Sequence, residues 1–306
     1  MVLTLNLSII IPTYMRSDVL WKTISDLSQQ LLPKDELILI DQNNPKLVVP
    51  IEFENSSWLK IYAQRKPSLT RARNLGIQKA KNDQIVFLDD DIIPDGQLLE
   101  QFRSAAVKWP GKVITGIVDQ ADKDLSVPSP GTVDLNSGEI KTNFCQGFNG
   151  ETAFFPGGLF LIPNGILPPY PYFNPAFRGA CQGEEIDFAF RLKKLGINFF
   201  SSEAIKIFHL KVLEGGCRAP SFKEKFFFDH IFNQALFFGR HGMLLSMGTF
   251  LRRIKGFIEF HTRINRVNIS DVTIGGKYSH SRKKVFVALW LLSQGLIQGI
   301  LMRFKK

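Results

Sequence analysis

The feature that most constrains the fold is an alternation of short apolar runs and amphipathic segments in the first third of the chain. The apolar runs are Leu7–Ile11, Leu37–Ile40, Leu59–Tyr62 and Ile85–Leu88, and the segments with helical spacing are Val19–Leu31 and Ser68–Lys81. Strands and helices that alternate at this spacing build βαβ units, whose parallel sheet is covered by helices on both faces. The sequence therefore predicts an α/β fold with a mostly parallel sheet flanked by helices.

Polar residues follow three of these runs, at the edge where α/β sheets bind ligands. Such sheets hold their ligands beyond the carboxyl ends of the strands. The residues at these positions are Pro12–Arg16, Asp41–Asn44 and Asp89–Asp91. We expect all three segments to open onto one edge of the sheet.

The segment Asp89–Asp91 places three carboxylates side by side. Because adjacent carboxylates repel one another, the segment predicts a positively charged partner. Hard divalent cations prefer oxygen ligands, and in an extended chain the side chains of Asp89 and Asp91 point the same way. The alternative is a solvated turn in which Asp91 or Asp95 caps a helix over Pro94–Lys108.

The middle of the chain, about residues 111–183, is rich in Pro, Gly and aromatic residues. This composition predicts strands and loops that line a site. The following segment, Gly183–Gly196, has acids at its start, basic residues near its end and Gly196 after them. These signals predict a helix.

Four stretches of this sequence resemble, in order, the successive signatures of the family 2 glycosyltransferases, which have the Rossmann-like GT-A fold. The stretches are LSIIIPTYMR, LILIDQNN, RARNLGIQKAKNDQIVFLDDDIIP and FNPAFRGACQGEEIDFAFRLKKLG, and the resemblance covers roughly Leu5 to Leu213. It implies an inverting enzyme that moves a sugar from a nucleotide-diphosphate sugar to an acceptor hydroxyl.

The resemblance also implies which residues bind the donor. They are Pro12, Thr13, Tyr14, Arg16, Asp41, Arg71, Arg73, Asp89 and Asp90. Asp41 would accept a hydrogen bond from the base, and the guanidinium groups of Arg71 and Arg73 suit phosphate oxygens. Gln42 stands where the family often has a second acid. The alternative for the two arginines is ordinary surface charge on an amphipathic helix.

A divalent cation, Mn²⁺ or Mg²⁺, is implied by the same resemblance. Asp91 takes the position of the direct ligand, with Asp89 and His209 as further ligands. The cation would neutralise the departing diphosphate. A single histidine is more often a structural hydrogen-bonding group, and this remains the alternative for His209.

The general base implied by the resemblance is Glu185, with Glu184 and Asp187 as alternatives. A glutamate carboxylate is ionised at neutral pH and can take a proton from a hydroxyl. Acids in the first turn also stabilise the helix dipole, so at least one of the three serves that role. Gly157 and Gly158 would let the backbone approach the sugar or the acceptor closely, or they form a plain turn.

Positive charge is concentrated at the C-terminus, where residues 252–306 hold twelve Lys or Arg against Glu259 and Asp271. Val285–Met302 is uncharged with basic flanks, which favours a helix lying at an anionic membrane surface over one that spans the bilayer. Lys223–Gly242 adds a Phe-rich amphipathic helix. The alternative for both helices is packing onto the catalytic domain. The basic residues are interspersed with aliphatic ones, so no nucleic-acid partner is expected.

The sequence thus predicts a GT-A catalytic domain over residues 1–215 and a helical, basic, membrane-associated region over 216–306. The expected partners are a nucleotide-diphosphate sugar and a glycan or lipid-linked acceptor of envelope or cell-surface synthesis. The alternative function is a non-catalytic, membrane-associated protein of the same fold that binds a nucleotide or sugar. Three widely separated cysteines predict a reduced, cytoplasmic setting. The basic C-terminal segment predicts a peripheral position on the inner face of the cell membrane.

Overall fold

The computed structural model describes residues 5–120, 131–133, 140–212, 214–217, 224–241 and 282–304. The strands are β1 (Leu7–Thr13), β2 (Glu36–Asp41), β3 (Leu59–Ala63), β4 (Gln84–Leu88), β5 (Ile92–Pro94), β6 (Val113–Asp119), β7 (Gly131–Val133), β8 (Ile140–Thr142), β9 (Gly150–Thr152), β10 (Leu159–Pro163) and β11 (Phe199–His209). The helices are α1 (Ser17–Ser28), α2 (Leu69–Lys79), α3 (Leu98–Lys108), α4 (Glu184–Lys194), α5 (Glu224–His241) and α6 (Arg282–Phe304).

Nine of these strands form one sheet in the order β3-β2-β1-β4-β10-β6-β11-β5, with β9 paired to β11. The first four neighbours are all parallel, which confirms the predicted α/β fold. Antiparallel pairs enter with β10, β9 and β5. In the register, Thr13 lies beside Asp41, so the ends of β1 and β2 meet at the same edge.

Both faces of the sheet are buried, because alternate residues of its strands belong to two apolar clusters, one on each face. In β1, Ile9 and Ile11 face the cluster that includes Phe102 of α3. Ile10 faces the other, which includes Phe188 of α4. A strand buried on both faces reads as a continuous apolar run, which is why the runs in this sequence do not alternate with polar residues.

The helices α5 and α6 form a third layer on α4. Phe190 of α4 packs with Phe232 and Leu236 of α5, and Leu296 of α6 lies against the same cluster. A methyl group built on Gly299 of α6 would overlap the backbone of α5, so the two helices are in backbone contact. Both helices occupy segments that the sequence predicted to be helical. Among the described residues, none of the helices has the length and apolar content needed to cross a bilayer.

Candidate active site

The three aspartates lie immediately after β4, at the carboxyl edge of the parallel strands. Asp90 and Asp91 are buried, and the Asp89 side chain is 29% exposed. The antiparallel pairing of β5 with β11 aligns Ile92 with His209, and this register brings the imidazole beside Asp91. The sheet edge therefore assembles a carboxylate cluster from β4 and a histidine more than a hundred residues later in the sequence.

Asp90 is held by two donors, one at the end of β1 and one in the loop that follows it. Thr13 Oγ1 donates to Asp90 Oδ2 at 2.7 Å, and Arg16 Nη1 donates to Asp90 Oδ1 at 2.9 Å. Burial raises the pKa of Asp90 to about 6, although Arg16 and Thr13 oppose the shift. These contacts fix Asp90 against the loop that the sequence assigned to donor binding.

Arg16 supplies part of the positive charge that the three aspartates require. Its Nη1 lies 3.0 Å from Asp91 Oδ2 as well as contacting Asp90. The rest of the guanidinium donates to two backbone oxygens, from Nη2 to Val212 at 3.0 Å and from Nε to Glu214 at 3.1 Å. The sequence assigned Arg16 to the donor only. The structure adds a positioning role, which ties the carboxylates to the loop after β11.

Asp89, Asp91 and His209 form a cluster that fits a divalent cation. One ligand atom from each lies within 4.8 Å of the others. His209 Nε2 is 3.3 Å from Asp91 Oδ1 and 3.6 Å from Asp89 Oδ2. Asp91 Oδ1 is buried and accepts no hydrogen bond from the described residues, which leaves that oxygen available to a ligand. Carboxylate oxygens and an imidazole nitrogen form a donor set suited to Mn²⁺.

The two carboxylates of this cluster also act on His209. Burial lowers the pKa of His209, but the neighbouring carboxylates of Asp89 and Asp91 outweigh burial and raise it to about 9. In the neutral ring, Nδ1 accepts from the backbone N–H of Lys211 at 3.2 Å, which orients the ring and leaves the proton on Nε2. This contact fits the structural alternative, and the ligand role would require Nε2 to lose its proton.

Gly157 and Gly158 make room for two charged side chains of the site. A methyl group built on Gly158 would overlap the Asp89 carboxylate, and one on Gly157 would press on the Arg73 guanidinium. The sequence predicted that this backbone approaches a sugar or acceptor. The structure shows it approaching the protein's own Asp89 and Arg73.

Substituting Gly158→Ala is expected to displace Asp89 and to weaken Mn²⁺ binding about 10-fold to 100-fold, the effect typical of residues that orient a metal ligand. Titration of the full chain with Mn²⁺, followed by its thermal midpoint, measures this. Gly165→Ala is the matched control, since a methyl group there meets open space. Equal Mn²⁺ affinity in both variants would show that Gly158 does not position Asp89.

Arg73 links α2 to α4 and to the aspartate cluster. Its side chain is 3% exposed and forms an ion pair with Glu184, also buried. Arg73 Nη2 donates to the carbonyl oxygen of Gly157 at 2.7 Å and lies 4.0 Å from Asp89 Oδ1. Burial lowers the pKa of Arg73, against the opposing charges of Asp89 and Glu185. The carboxylates of Asp89 and Glu185 are therefore close enough to Arg73 to affect its pKa.

The three acids of α4 have different environments. Glu184 is buried against Arg73. Asp187 is fully buried, 3.0 Å from Arg240 Nη1 and 2.9 Å from His241 Nε2 of α5. Of the three, only Glu185 is partly exposed. Glu185 is therefore the one of these three acids that is open to solvent.

Asp41 and Gln42, at the end of β2, shape the loops around the site. Asp41 Oδ1 accepts from Asn43, and Oδ2 accepts from the Leu47 N–H at 3.0 Å. Gln42 Oε1 accepts from Gln64 Nε2 at 3.0 Å and from the Ser68 N–H at 2.7 Å. Gln42 thus joins the end of β2 to the start of α2, a role that the sequence did not indicate.

A cavity of about 930 Å³ opens between the first βα loop, the start of α2 and the start of α5. Its lining includes Tyr14 and the acid Asp229. It also includes five basic side chains, which are Arg65, Lys66, Arg71, Arg178 and Lys225. The volume is in the upper part of the range of small-molecule sites, about 300–1,000 Å³. Tyr14 and Arg71 were predicted at the site. The other basic residues were not: Arg65, Lys66 and Arg178 lie in loops that carry no periodic signal, and Lys225 lies at the start of α5.

The chain was compared with known proteins. Residues 8–162 match the family model described as glycosyl transferase family 2. Chondroitin synthase of Escherichia coli is 28% identical over 237 residues, which cover 67% of this chain and 34% of that protein. The chain therefore spans about a third of the length of this curated relative.

Solved structures share the fold. The crystal structure of GalNAc-T7 with UDP, GalNAc and Mn²⁺ gives a TM-score of 0.56 at 16% identity, over 86% of this chain and 55% of that chain. The crystal structure of residues 1–349 of S. aureus TarS gives a TM-score of 0.59 at 12% identity, over 95% of this chain and 81% of that chain. These neighbours establish the GT-A fold. Since the family model matches half of the chain, this protein belongs to glycosyl transferase family 2.

Proposed function

We propose that this protein is a metal-dependent, inverting glycosyltransferase that moves a sugar from a nucleotide-diphosphate sugar to an acceptor hydroxyl. The observation that carries the proposal is the cluster of Asp89, Asp91 and His209 at the sheet edge. It joins a divalent-cation donor set to Arg73, and through Arg73 to the helix that carries Glu185. The family and the UDP and Mn²⁺ of the GalNAc-T7 structure support the same class of donor and cofactor.

The donor would bind along the carboxyl edge of the sheet. Tyr14 and Arg71 line the cavity, and Arg73 lies beside Asp89. Asp89, Asp91 and His209 would hold Mn²⁺ or Mg²⁺, which when bound neutralises negative charge on the leaving diphosphate. Asp90 and Arg16 hold the first βα loop against this cluster. Pro12, Thr13 and Asp41 are buried and complete the proposed donor site by positioning its loops.

Glu185 would act on the acceptor. Its carboxylate takes the proton of the acceptor hydroxyl as that oxygen bonds to the anomeric carbon. The bond from this carbon to the diphosphate oxygen breaks, and the nucleoside diphosphate leaves with the electron pair. Direct displacement inverts the anomeric centre. Of the three acids in the first turn of α4, Glu185 has the partial exposure that this role needs.

We further infer a division of the chain into a catalytic domain over residues 1–215 and a helical, basic region over 216–306. The clustering of basic residues from Arg252 onward supports a location at the inner, cytoplasmic face of the cell membrane. Such a location suits a lipid-linked or envelope glycan acceptor.

The proposal is tested by a thermal-shift screen of nucleoside diphosphates with and without Mn²⁺. A matching nucleotide at saturating concentration is expected to raise the midpoint by about 5 °C, because it binds only the folded chain. Asp91→Asn is expected to remove the Mn²⁺-dependent part of the shift. Asp83→Asn, the same change at an exposed turn, is the control. The absence of a shift with every nucleoside diphosphate would overturn the proposal.

A further inference from the structure

An exposed apolar surface lies on α6, far along the chain from the candidate active site. Of the fourteen large apolar side chains that are exposed among the described residues, five belong to this helix. They are Leu289, Trp290, Ile297, Ile300 and Leu301, here called the outer face of α6. Trp290, Ile297 and Leu301 are 52%, 54% and 59% exposed, and their spacing places them along one line of the helix.

The opposite side of α6 is packed. Leu291, Gly295 and Gly299 are buried, and the two glycines lie against the backbone of α5 at Phe232 and Leu236. The helix is therefore held firmly on one side, while its outer face is not covered by the described residues. A stable apolar surface of this kind marks an interaction site.

Positive charge accumulates where α4, α5 and α6 meet. Asp187 is the buried carboxylate there, and it pairs with Arg240 and His241. Burial and the charge of Arg240 lower the pKa of Arg191 to about 10. Burial, then the charges of Arg303 and Arg240, lower the pKa of Lys194.

The basic side chains at this junction therefore outnumber the carboxylate they surround. Arg303 is also the last basic residue in the described part of α6, and Lys305 and Lys306 follow it in the sequence. Arg303 follows Gly295 and Gly299 at intervals of four residues, so it lies on the side of α6 that packs on α5. The wider segment, residues 252–306, holds twelve Lys or Arg against two acids.

We propose that the outer face of α6 docks on a phospholipid bilayer whose surface is anionic. The apolar side chains would enter the region of the headgroups, where tryptophan is favoured, and the basic residues of the segment 252–306 would attract the lipid phosphates. This inference does not depend on the transferase activity.

Charge complementarity selects the bilayer over two other occupants. A second copy of the chain would bring a second segment with the same excess of basic residues, and like charges repel. The stretch 242–281 of this chain holds six Lys or Arg against two acids, so it too is basic. An anionic lipid surface is the occupant whose charge is opposite.

Docking there would also orient the candidate active site. Asp187 lies two residues after Glu185 on α4 and is ion-paired to α5, and α5 is in backbone contact with α6. A bilayer on the outer face is thus linked through packed helices to the acid proposed to meet the acceptor. This arrangement would orient Glu185 for an acceptor that is carried on a lipid.

Sedimentation of the full chain with vesicles tests the proposal. Binding is expected to vesicles of equal parts phosphatidylcholine and phosphatidylglycerol, and not to phosphatidylcholine alone. The double variant Trp290→Glu/Leu301→Glu is expected to bind the mixed vesicles at least about tenfold more weakly, because it loses two apolar contacts and adds two negative charges. Binding of the unmodified chain to the mixed vesicles should weaken as the salt concentration rises, because salt screens the attraction between basic residues and lipid phosphates.

The matched control is Val48→Glu/Ile51→Glu, which makes the same kind of change at two side chains that are 82% and 77% exposed. This control should bind like the unmodified chain, and all variants should keep their thermal midpoint and their nucleotide-dependent shift. Equal vesicle binding by the α6 double variant would overturn the proposal. So would a concentration-dependent dimer that the same variant abolishes, since the outer face would then join two copies.

Discussion

Replacing Glu185 with glutamine is expected to lower the turnover number by about 10²-fold to 10⁴-fold, the contribution of a positioned general base. Glutamine has the size of glutamate but cannot take the acceptor proton. Glu185 is partly exposed and lies near Arg73, which borders the aspartate cluster. The nucleotide-dependent thermal shift should remain, since the change affects the acceptor side of the site. Release of nucleoside diphosphate in the presence of acceptor measures turnover.

Two comparisons make this result specific. Glu151→Gln alters an exposed glutamate of β9 and should leave turnover unchanged. Glu185→Asp keeps the carboxylate but shortens its reach, so it should retain more turnover than Glu185→Gln. If Glu185→Gln keeps full turnover, Glu185 is not the base. If the unmodified chain binds nucleotide but turns over no donor with any acceptor offered, the non-catalytic alternative is favoured.

Much of the sheet edge could be predicted from local sequence. The apolar run before Asp89 is buried on both faces, so it had to be a central strand, and the residues after such a strand had to lie at the carboxyl edge. The spacing of Asp89 and Asp91 likewise predicted a shared ligand. His209 entered through the family resemblance, and the β5–β11 register accounts for its position beside Asp91.

The partners of the charged side chains could not be predicted in this way. Arg16 donates to the backbone of Glu214, 198 residues later, and Arg73 pairs with Glu184, 111 residues later. Such pairs are set by the packing of loops and helices against the sheet, and no period in the sequence encodes them. For the same reason the sequence left Glu184, Glu185 and Asp187 as alternatives, and only their burial and ion pairs separate them.

Substitution of either member of the buried pair Arg73–Glu184 is expected to lower the free energy of unfolding by about 3–5 kcal/mol, because the remaining charge is left without its partner in the interior. The variants Arg73→Met and Glu184→Gln test each side. Both side chains are almost fully buried, at 3% and 2% exposure, so water cannot replace the lost partner. Urea unfolding of the full chain, at neutral pH, gives the change.

The control lies on the same helix. Arg71→Met removes the same charge two residues earlier, at an exposed position, and should change the free energy of unfolding by no more than about 0.5 kcal/mol. The double variant Arg73→Met/Glu184→Gln removes both charges, so it should lose less than the two single losses combined. Strict additivity would show that the two side chains do not interact. A pair with this energy fixes α4 relative to α2, and it thereby sets where Glu185 stands with respect to Asp89.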